Sequence, residues 1–349
     1  MHETLDTPHL VDRRSAATDP DDSTMRSIVQ RRYGLVPEEV LRLADVPRPT
    51  PSDGEVLVRV HAASIDRGTW HIMAGLPYPM RAAGFGLRRP KAANPGRSIA
   101  GTVVSIGRDV AGFEVGDRVY GTSESAFAEY AQVDPARLAH MPTSLSFEQA
   151  AAVPISGLTA LQAVRDHGKV QPGERVLILG ASGGVGTFAV QIAKELGAEV
   201  TGVCSAGKVD LVRSLGADHV LDYALADPTS GAAQYDVILD IGGNRPLSAL
   251  RRALTPTGRL VIVGGETDGR WLGGTDRQLR ATVLSLFVRQ QLGTFLSSEN
   301  AADLDALRAL VDSGAVSPAI DRTYPLSEVA AAIRDVSEGR ARGKVVVAI

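Results

Sequence analysis

The chain has 349 residues, of which 44% are hydrophobic and 36 are glycine, so it can bury a full core and its length suggests two domains. A formal charge of −3 with 22% charged residues argues against a strong, sequence-independent pull on nucleic acid or on an anionic membrane. The single cysteine, Cys204, excludes an intramolecular disulfide and every multi-cysteine zinc site, and predicts a reducing, cytoplasmic setting.

Residues 1–26 are polar, carry Asp19, Asp21 and Asp22, and show no hydrophobic periodicity; they read as a flexible N-terminal extension. No run of about 18 apolar residues follows, so no membrane-spanning helix is expected. Over 27–155, short alternating or apolar runs at 55–61, 100–106, 117–120 and 127–133 are punctuated by glycine and proline, which predicts a mostly β domain. Over 156–296 the pattern changes. Apolar strands at 175–179, 200–204, 219–221, 235–240 and 258–263 alternate with helical stretches, the signature of βαβ units and a parallel sheet. Between the first two, Val185, Ala189, Ile192, Ala193 and Leu196 share one face of a helix that stops at Gly197. The tail, 297–349, offers helices near 302–311 and 326–336, a strand near Tyr324 and a final apolar strand at 344–349, and can rejoin the first domain.

The segment 175–186 carries the strongest chemical signal. An apolar strand runs into Gly180, Ala181, Ser182, Gly183, Gly184, Val185 and Gly186, and then directly into the helix above. Glycines let the backbone turn tightly and come close to a pyrophosphate, and a helix N-terminus offers unpaired N–H groups with partial positive charge. The reading is therefore a dinucleotide cradle, with Ala181 where the usual pattern has its first glycine. At the end of the second strand a binder of NAD places a carboxylate for the ribose hydroxyls. Here the chain reads Cys204, Ser205, Ala206, Gly207, Lys208. A hydroxyl and an ammonium suit a 2′-phosphate, which predicts NADP(H); the alternative for Lys208 is an ordinary solvated residue at a helix start.

The motifs now assembled resemble the quinone oxidoreductase branch of the medium-chain dehydrogenase/reductase superfamily, from about Arg26 to Ile349. They include 95–101 (Pro-Gly-Arg-Ser-Ile-Ala-Gly), 115–119 (Val-Gly-Asp-Arg-Val), 127–130 (Phe-Ala-Glu-Tyr), 151–154 (Ala-Ala-Val-Pro), the 181–186 loop, 215–218 with Asp222 and Tyr223, and 343–346 (Gly-Lys-Val-Val). The resemblance implies an α/β protein: a GroES-like, mostly β catalytic domain, 27–155 completed by 297–349, and a doubly wound Rossmann domain, 156–296. It also implies a cleft between them and a homodimer. Zinc-dependent relatives carry a cysteine and a His-Glu pair where this chain has Asp66 and Arg97-Ser98, so no metal is expected.

The same resemblance supplies candidate roles. Asp66 stands where the branch has Asn and faces the nicotinamide ribose or the substrate; capping the next helix or pairing with Arg67 are its alternatives. Thr159, the loop Asp240, Ile241, Gly242, Gly243, and Gly264 with Gly265 border the nicotinamide. Tyr223 approaches the adenosine phosphate and Lys344 the nicotinamide end. Tyr78 is the candidate hydrogen-bond donor to the substrate, or else a packed loop aromatic. The segment 72–90 supplies an apolar wall, so the expected partner is a small apolar carbonyl or quinone. The implied activity is NADPH-dependent reduction of an enone or quinone; a zinc-free carbonyl reductase and a nucleotide-binding protein without turnover are the alternatives.

Overall fold

The computed structural model describes residues 23–230, 234–242, 245–264, 271 and 273–349. Small and β-branched residues alternate along the first half, and they close on one another across a seven-stranded sheet. A ribbon of β1 (Thr24–Gln30) and β2 (Leu41–Pro47), with the short α1 (Pro37–Val40) between, precedes it. The sheet itself holds β3 (Val56–Ile65), β4 (Ser98–Ile106), β5 (Arg118–Thr122), β6 (Tyr130–Val133) and β7 (Leu138–His140), with α2 (Arg67–Ala74) leaving β3. Its remaining strands come from the tail, β14 (Ile320–Pro325) and β15 (Lys344–Ala348). Their order is β14-β15-β3-β4-β5-β7, with β6 on β3. Thus β15 runs parallel to β14 and antiparallel to β3, inserting the end of the chain beside the strand that leads to Asp66.

Helices α3 (Phe147–Ala151) and α4 (Pro154–Gln162) lead into the second sheet. Its strands are β8 (Arg175–Leu179), β9 (Glu199–Cys204), β10 (His219–Asp222), β11 (Tyr235–Asp240), β12 (Leu254–Ile262) and β13 (Gln291–Thr294). All pairs are parallel in the order β10-β9-β8-β11-β12-β13, a doubly wound sheet whose direction of growth reverses between β8 and β11. Ligands of such sheets bind at the strands' C-terminal ends, at that reversal. The strands carry few charges because helices cover both faces: α5 (Gly184–Glu195), α6 (Val209–Ser214), α7 (Leu247–Ala253) and α8 (Thr275–Ser285). Val176, Ile178, Phe188, Val190 and Val237 are fully buried between them.

Two helices of the tail, α9 (Ala301–Asp312) and α10 (Val329–Ser337), pack back on the first sheet. The buried Tyr120 hydroxyl on β5 donates to the Leu304 carbonyl on α9 at 2.6 Å, and burial raises its pKa. Among the elements that differ from the sequence reading, three bear on the site and its surroundings. Strand β1 begins at Thr24, inside the stretch read as an extension, because Met25 and Ile28 are core residues. Helix α8 and edge strand β13 were not expected, although Leu279, Val283 and Leu286 recur at helical spacing; on α8 that face is exposed and only Ala281 is buried.

Candidate active site

Strand β8 ends at Leu179 and the chain turns at Gly180, whose φ of +84° favours glycine. A Cβ on Gly180 would lie 2.9 Å from the Gly242 nitrogen, and one on Gly186 would lie 2.1 Å from the Gly180 carbonyl oxygen. Both glycines are therefore required for the loop to close. Gly183, the N-cap of α5, has open space beside it, with only the Gly180 oxygen near, at 3.5 Å. The N–H groups of Ile241 and Gly242 both donate to the Leu179 carbonyl at 3.1 Å. Gly264 packs on the Ile241 carbonyl, 2.2 Å from where its Cβ would be. Gly180, Gly242 and Gly264 thus meet backbone to backbone at the sheet's reversal point, with the first turn of α5 beside them. Ala181 is buried and its N–H donates to the Val203 carbonyl at 3.0 Å, while Val185 packs at the start of α5. Gly243 and Gly265 lie outside the described residues.

The C-terminal strand meets this loop. Gly343 donates its N–H to the Ser182 carbonyl at 2.9 Å and bridges to Gly183 in parallel. One residue on, the Lys344 ammonium, 1% exposed, enters a buried cluster. It pairs with the Asp66 carboxylate and donates to the Ser156 hydroxyl at 3.1 Å and the Ile65 carbonyl at 3.2 Å. Ser156 in turn donates to Asp66 at 2.6 Å, and Ser98 to the other carboxylate oxygen at 3.3 Å. Asp66 is also the N-cap residue of α2, with its own N–H donating to the Thr69 hydroxyl at 3.3 Å. Of the sequence alternatives, helix capping is present; pairing with Arg67 gives way to Lys344, since Arg67 reaches the Ser337 carbonyl at 2.5 Å. A Cβ on Gly184 would lie 3.0 Å from the Ser156 hydroxyl and 3.2 Å from the Lys344 side chain, so the cluster sits directly behind the loop.

At the end of β9, Ser205 is the N-cap of a short turn, Ala206–Lys208. Lys208 donates to the carbonyls of Gly339 at 3.0 Å and Ala341 at 2.6 Å, which ties this strand end to the tail. Burial holds its ammonium below the ordinary lysine range; Asp321 opposes that shift and Arg342 adds to it. The Arg342 guanidinium lies 3.8 Å from where a Gly207 Cβ would stand. Tyr223 is exposed beside them, its N–H on the Cys204 carbonyl at 3.1 Å. Burial pushes the Cys204 thiol up.

Asp240 is fully buried and its carboxylate is turned to Arg277 on α8, not to open space. Thr159 is spent within α4, donating to the Ile155 carbonyl at 2.7 Å. Tyr78 makes an edge-to-face contact with Trp271, centroids 5.2 Å apart, and the Arg81 guanidinium lies 4.8 Å over its ring. Arg97 forms a two-pronged pair with Glu299 at 2.7 and 2.8 Å, and the Thr122 hydroxyl donates to the same carboxylate.

Residues 52–143 match the model of the alcohol dehydrogenase GroES-like domain and residues 215–347 that of the zinc-binding dehydrogenases. The human mitochondrial "NAD(P)H oxidoreductase RTN4IP1" is 34% identical over 96% of this chain and 92% of its own length. The chloroplastic "Quinone-oxidoreductase QR1" of Triphysaria versicolor is 32% identical over 88% of this chain and 93% of its own. Among solved structures, the quinone oxidoreductase from Coxiella burnetii superposes with a TM-score of 0.79 at 29% identity, covering 93% of this chain and 99% of the other. The chain belongs to the medium-chain dehydrogenase/reductase superfamily, in its quinone oxidoreductase-like branch. It is an NAD(P)H-dependent oxidoreductase.

One expectation is corrected by these relatives. A cytoplasmic setting was read from the lone cysteine and the polar N-terminus, whereas the similar proteins are named mitochondrial and chloroplastic, which overturns that reading. A lone cysteine reports a reducing compartment, and organelle interiors can be reducing too.

Within this superfamily fold, the structure brings Asp66 and Lys344 together, and Lys208 toward the tail, but leaves Thr159 and Tyr78 outside the buried cluster. Ser156, Arg277, Trp271 and Arg342 were missed by the sequence reading. Only Arg342 had a usable signal: it immediately precedes the Gly343-Lys344 motif.

Removing the Lys344 charge leaves Asp66 buried without its partner. Lys344→Met is expected to lower stability by about 3 to 5 kcal/mol. Lys344→Met combined with Asp66→Asn should recover a good part of that loss in urea unfolding. Additive losses would mean the two side chains are not coupled.

Proposed function

We propose that the protein is a zinc-independent, NADPH-dependent reductase that delivers hydride to the β-carbon of an α,β-unsaturated carbonyl or to a quinone. The observation that carries the cofactor reading is the end of β9, where Ser205 and Lys208 stand in the stretch in which a binder of NAD sets its carboxylate, with Arg342 beside them. Two cations and a hydroxyl complement a 2′-phosphate. An arriving phosphate also restores to Lys208 the charge stabilisation that burial denies it.

The loop fits a dinucleotide: a Cβ at Gly180 or Gly186 would strike backbone, so these glycines let the turn close, and the space beside Gly183 at the start of α5 is open. Gly180 to Gly186 and the start of α5 hold the pyrophosphate, with Ser182 fixed by the tail. Tyr223, Ser205, Lys208 and Arg342 hold the adenosine phosphate end. Gly242 and Gly264 let the nicotinamide half lie close, bordered by Thr159 and by the cluster of Asp66, Ser156 and Lys344. Asp240 acts through Arg277, holding the start of α8. When bound, the nicotinamide supplies the hydride.

At the places where zinc-dependent members carry ligands, the donors present do not fit the ion. Arg97 has no lone pair to offer, and Asp66 is committed to Lys344, Ser156 and Ser98. Reduction of a simple carbonyl concentrates charge on one oxygen, whereas conjugate addition spreads it onto a more distant enolate oxygen that a single donor can hold. Tyr78 is the proposed donor, its ring set by Trp271 and Arg81.

NADPH should bind about 10- to 100-fold more tightly than NADH, the equivalent of one or two charge-assisted hydrogen bonds. Lys208→Ala and Arg342→Ala should each erode that ratio. Equal dissociation constants for the two cofactors by titration calorimetry would remove the 2′-phosphate assignment.

Tyr78→Phe should lower kcat for a small enone or quinone by about 10- to 1000-fold, the scale of losing one oxyanion donor or general acid. NADPH affinity should be unchanged. A kcat equal to that of the unaltered protein would leave Tyr78 as a packing residue.

A further inference from the structure

One guanidinium near the buried cluster is only partly used. Arg97 immediately precedes β4, and its neighbour Ser98 donates its hydroxyl to Asp66 at 3.3 Å. Its partner Glu299 follows the end of β13 at Thr294, which pairs with Ile262 at the end of β12. The pair thus joins the first sheet to the C-terminal edge of the second, the edge that receives a nucleotide in such sheets. Both bonds to Glu299 leave from one nitrogen, Nη2, at 2.8 and 2.7 Å. A guanidinium has five N–H donors, so Nε–H and the two N–H of Nη1 remain, with no acceptor among the described residues. The side chain is 21% exposed.

The anchor is rigid and the linked charges balance. Glu299 also accepts from the Thr122 hydroxyl at 2.8 Å, and Gln162 on α4 clamps the adjoining Ser298 backbone, donating to its carbonyl at 2.8 Å and accepting from its N–H at 2.9 Å. Arg137 lies 3.8 Å from Glu299 and 3.9 Å from Glu124. Two guanidinium groups and two carboxylates leave little net pull on an acceptor that is already an anion. The remaining N–H groups suit a neutral oxygen from which the reaction draws electron density, because they are held in place before it arrives.

We infer that Arg97 holds a second oxygen of the acceptor, besides the one assigned to Tyr78, and so favours conjugated dicarbonyls over acceptors with a single carbonyl. The inference rests on the reductase reading above. Hydride from NADPH forms a C–H bond at one alkene carbon, the π-electrons move to the carbonyl oxygen held by Tyr78, and a solvent proton then restores the ketone by adding at the other alkene carbon. The second carbonyl, polarised by Arg97, withdraws electron density from the same alkene and eases the hydride's approach.

The acceptors trans-3-hexene-2,5-dione and trans-3-hexen-2-one differ by one carbonyl oxygen and make a matched pair. Arg97→Ala should lower kcat/KM for the dione about 10- to 100-fold, the scale of a hydrogen bond to a charged group, and that for the enone less than about 3-fold. NADPH affinity should be unchanged. Arg97→Lys keeps a cation beside Glu299 for folding but lacks the planar fork that spans two partners, and should show the same selective loss. Thermal unfolding by circular dichroism identifies which variants fold. Titration calorimetry on the complex with NADP+ needs no turnover: the dione should bind about 10-fold more tightly than the enone, a preference that the variants erase. Equal affinities for the two acceptors, or equal losses for both in a folded variant, would overturn the inference. A binding preference that depends on Arg97 without reduction of either acceptor would overturn the reductase reading and uphold the role of Arg97.

Discussion

Everything at this site depends on the buried pair of Lys344 and Asp66 and the Ser156 hydroxyl that joins them. The three residues come from the last strand, the end of β3 and the start of α4, and they meet behind Gly184. A buried ion pair contributes little net stability against an apolar replacement, but it is costly to break on one side. Its effect is geometric. The ammonium can be satisfied only if β15 lies between β14 and β3, and with β15 so placed Gly343 reaches the Ser182 carbonyl. The glycine loop is thus held by the tail of the chain, and Lys208 at the end of β9 repeats the tie.

Much of this frame is legible in the sequence. The run from Arg175 into Gly180 and the helix beyond is local, and so are the alternating strands that precede it. The partnership of Asp66 with Lys344 is not, because 278 residues separate them and no spacing rule spans a sheet insertion. The resemblance put both residues near the nicotinamide without pairing them. Asp in place of the branch's Asn makes sense only once a lysine is seen opposite it. The resemblance put Asp240 beside the nicotinamide, but the arginine that occupies its carboxylate sits on α8, a helix absent from the sequence reading.

The pattern of α8 shows that periodicity reports a helix and not which way its apolar face points: Leu279 and Val283 recur at helical spacing and are exposed. Net charge behaves similarly: an average of −3 says nothing of how guanidinium groups gather, at Lys208 and Arg342 on one side of the sheet and around Arg252 and Arg289 on another.

The chemistry rests on how much negative charge the site must hold. The proposed phenolic donor, Tyr78, suits an acceptor whose charge is delocalised. The fate of the transferred hydrogen reports this directly. With a simple enone and NADPH deuterated at the transferring position of C4, mass spectrometry and NMR of the product should find the saturated ketone with deuterium on the β-carbon. An allylic alcohol with deuterium on the former carbonyl carbon would contradict the account and make the enzyme a carbonyl reductase.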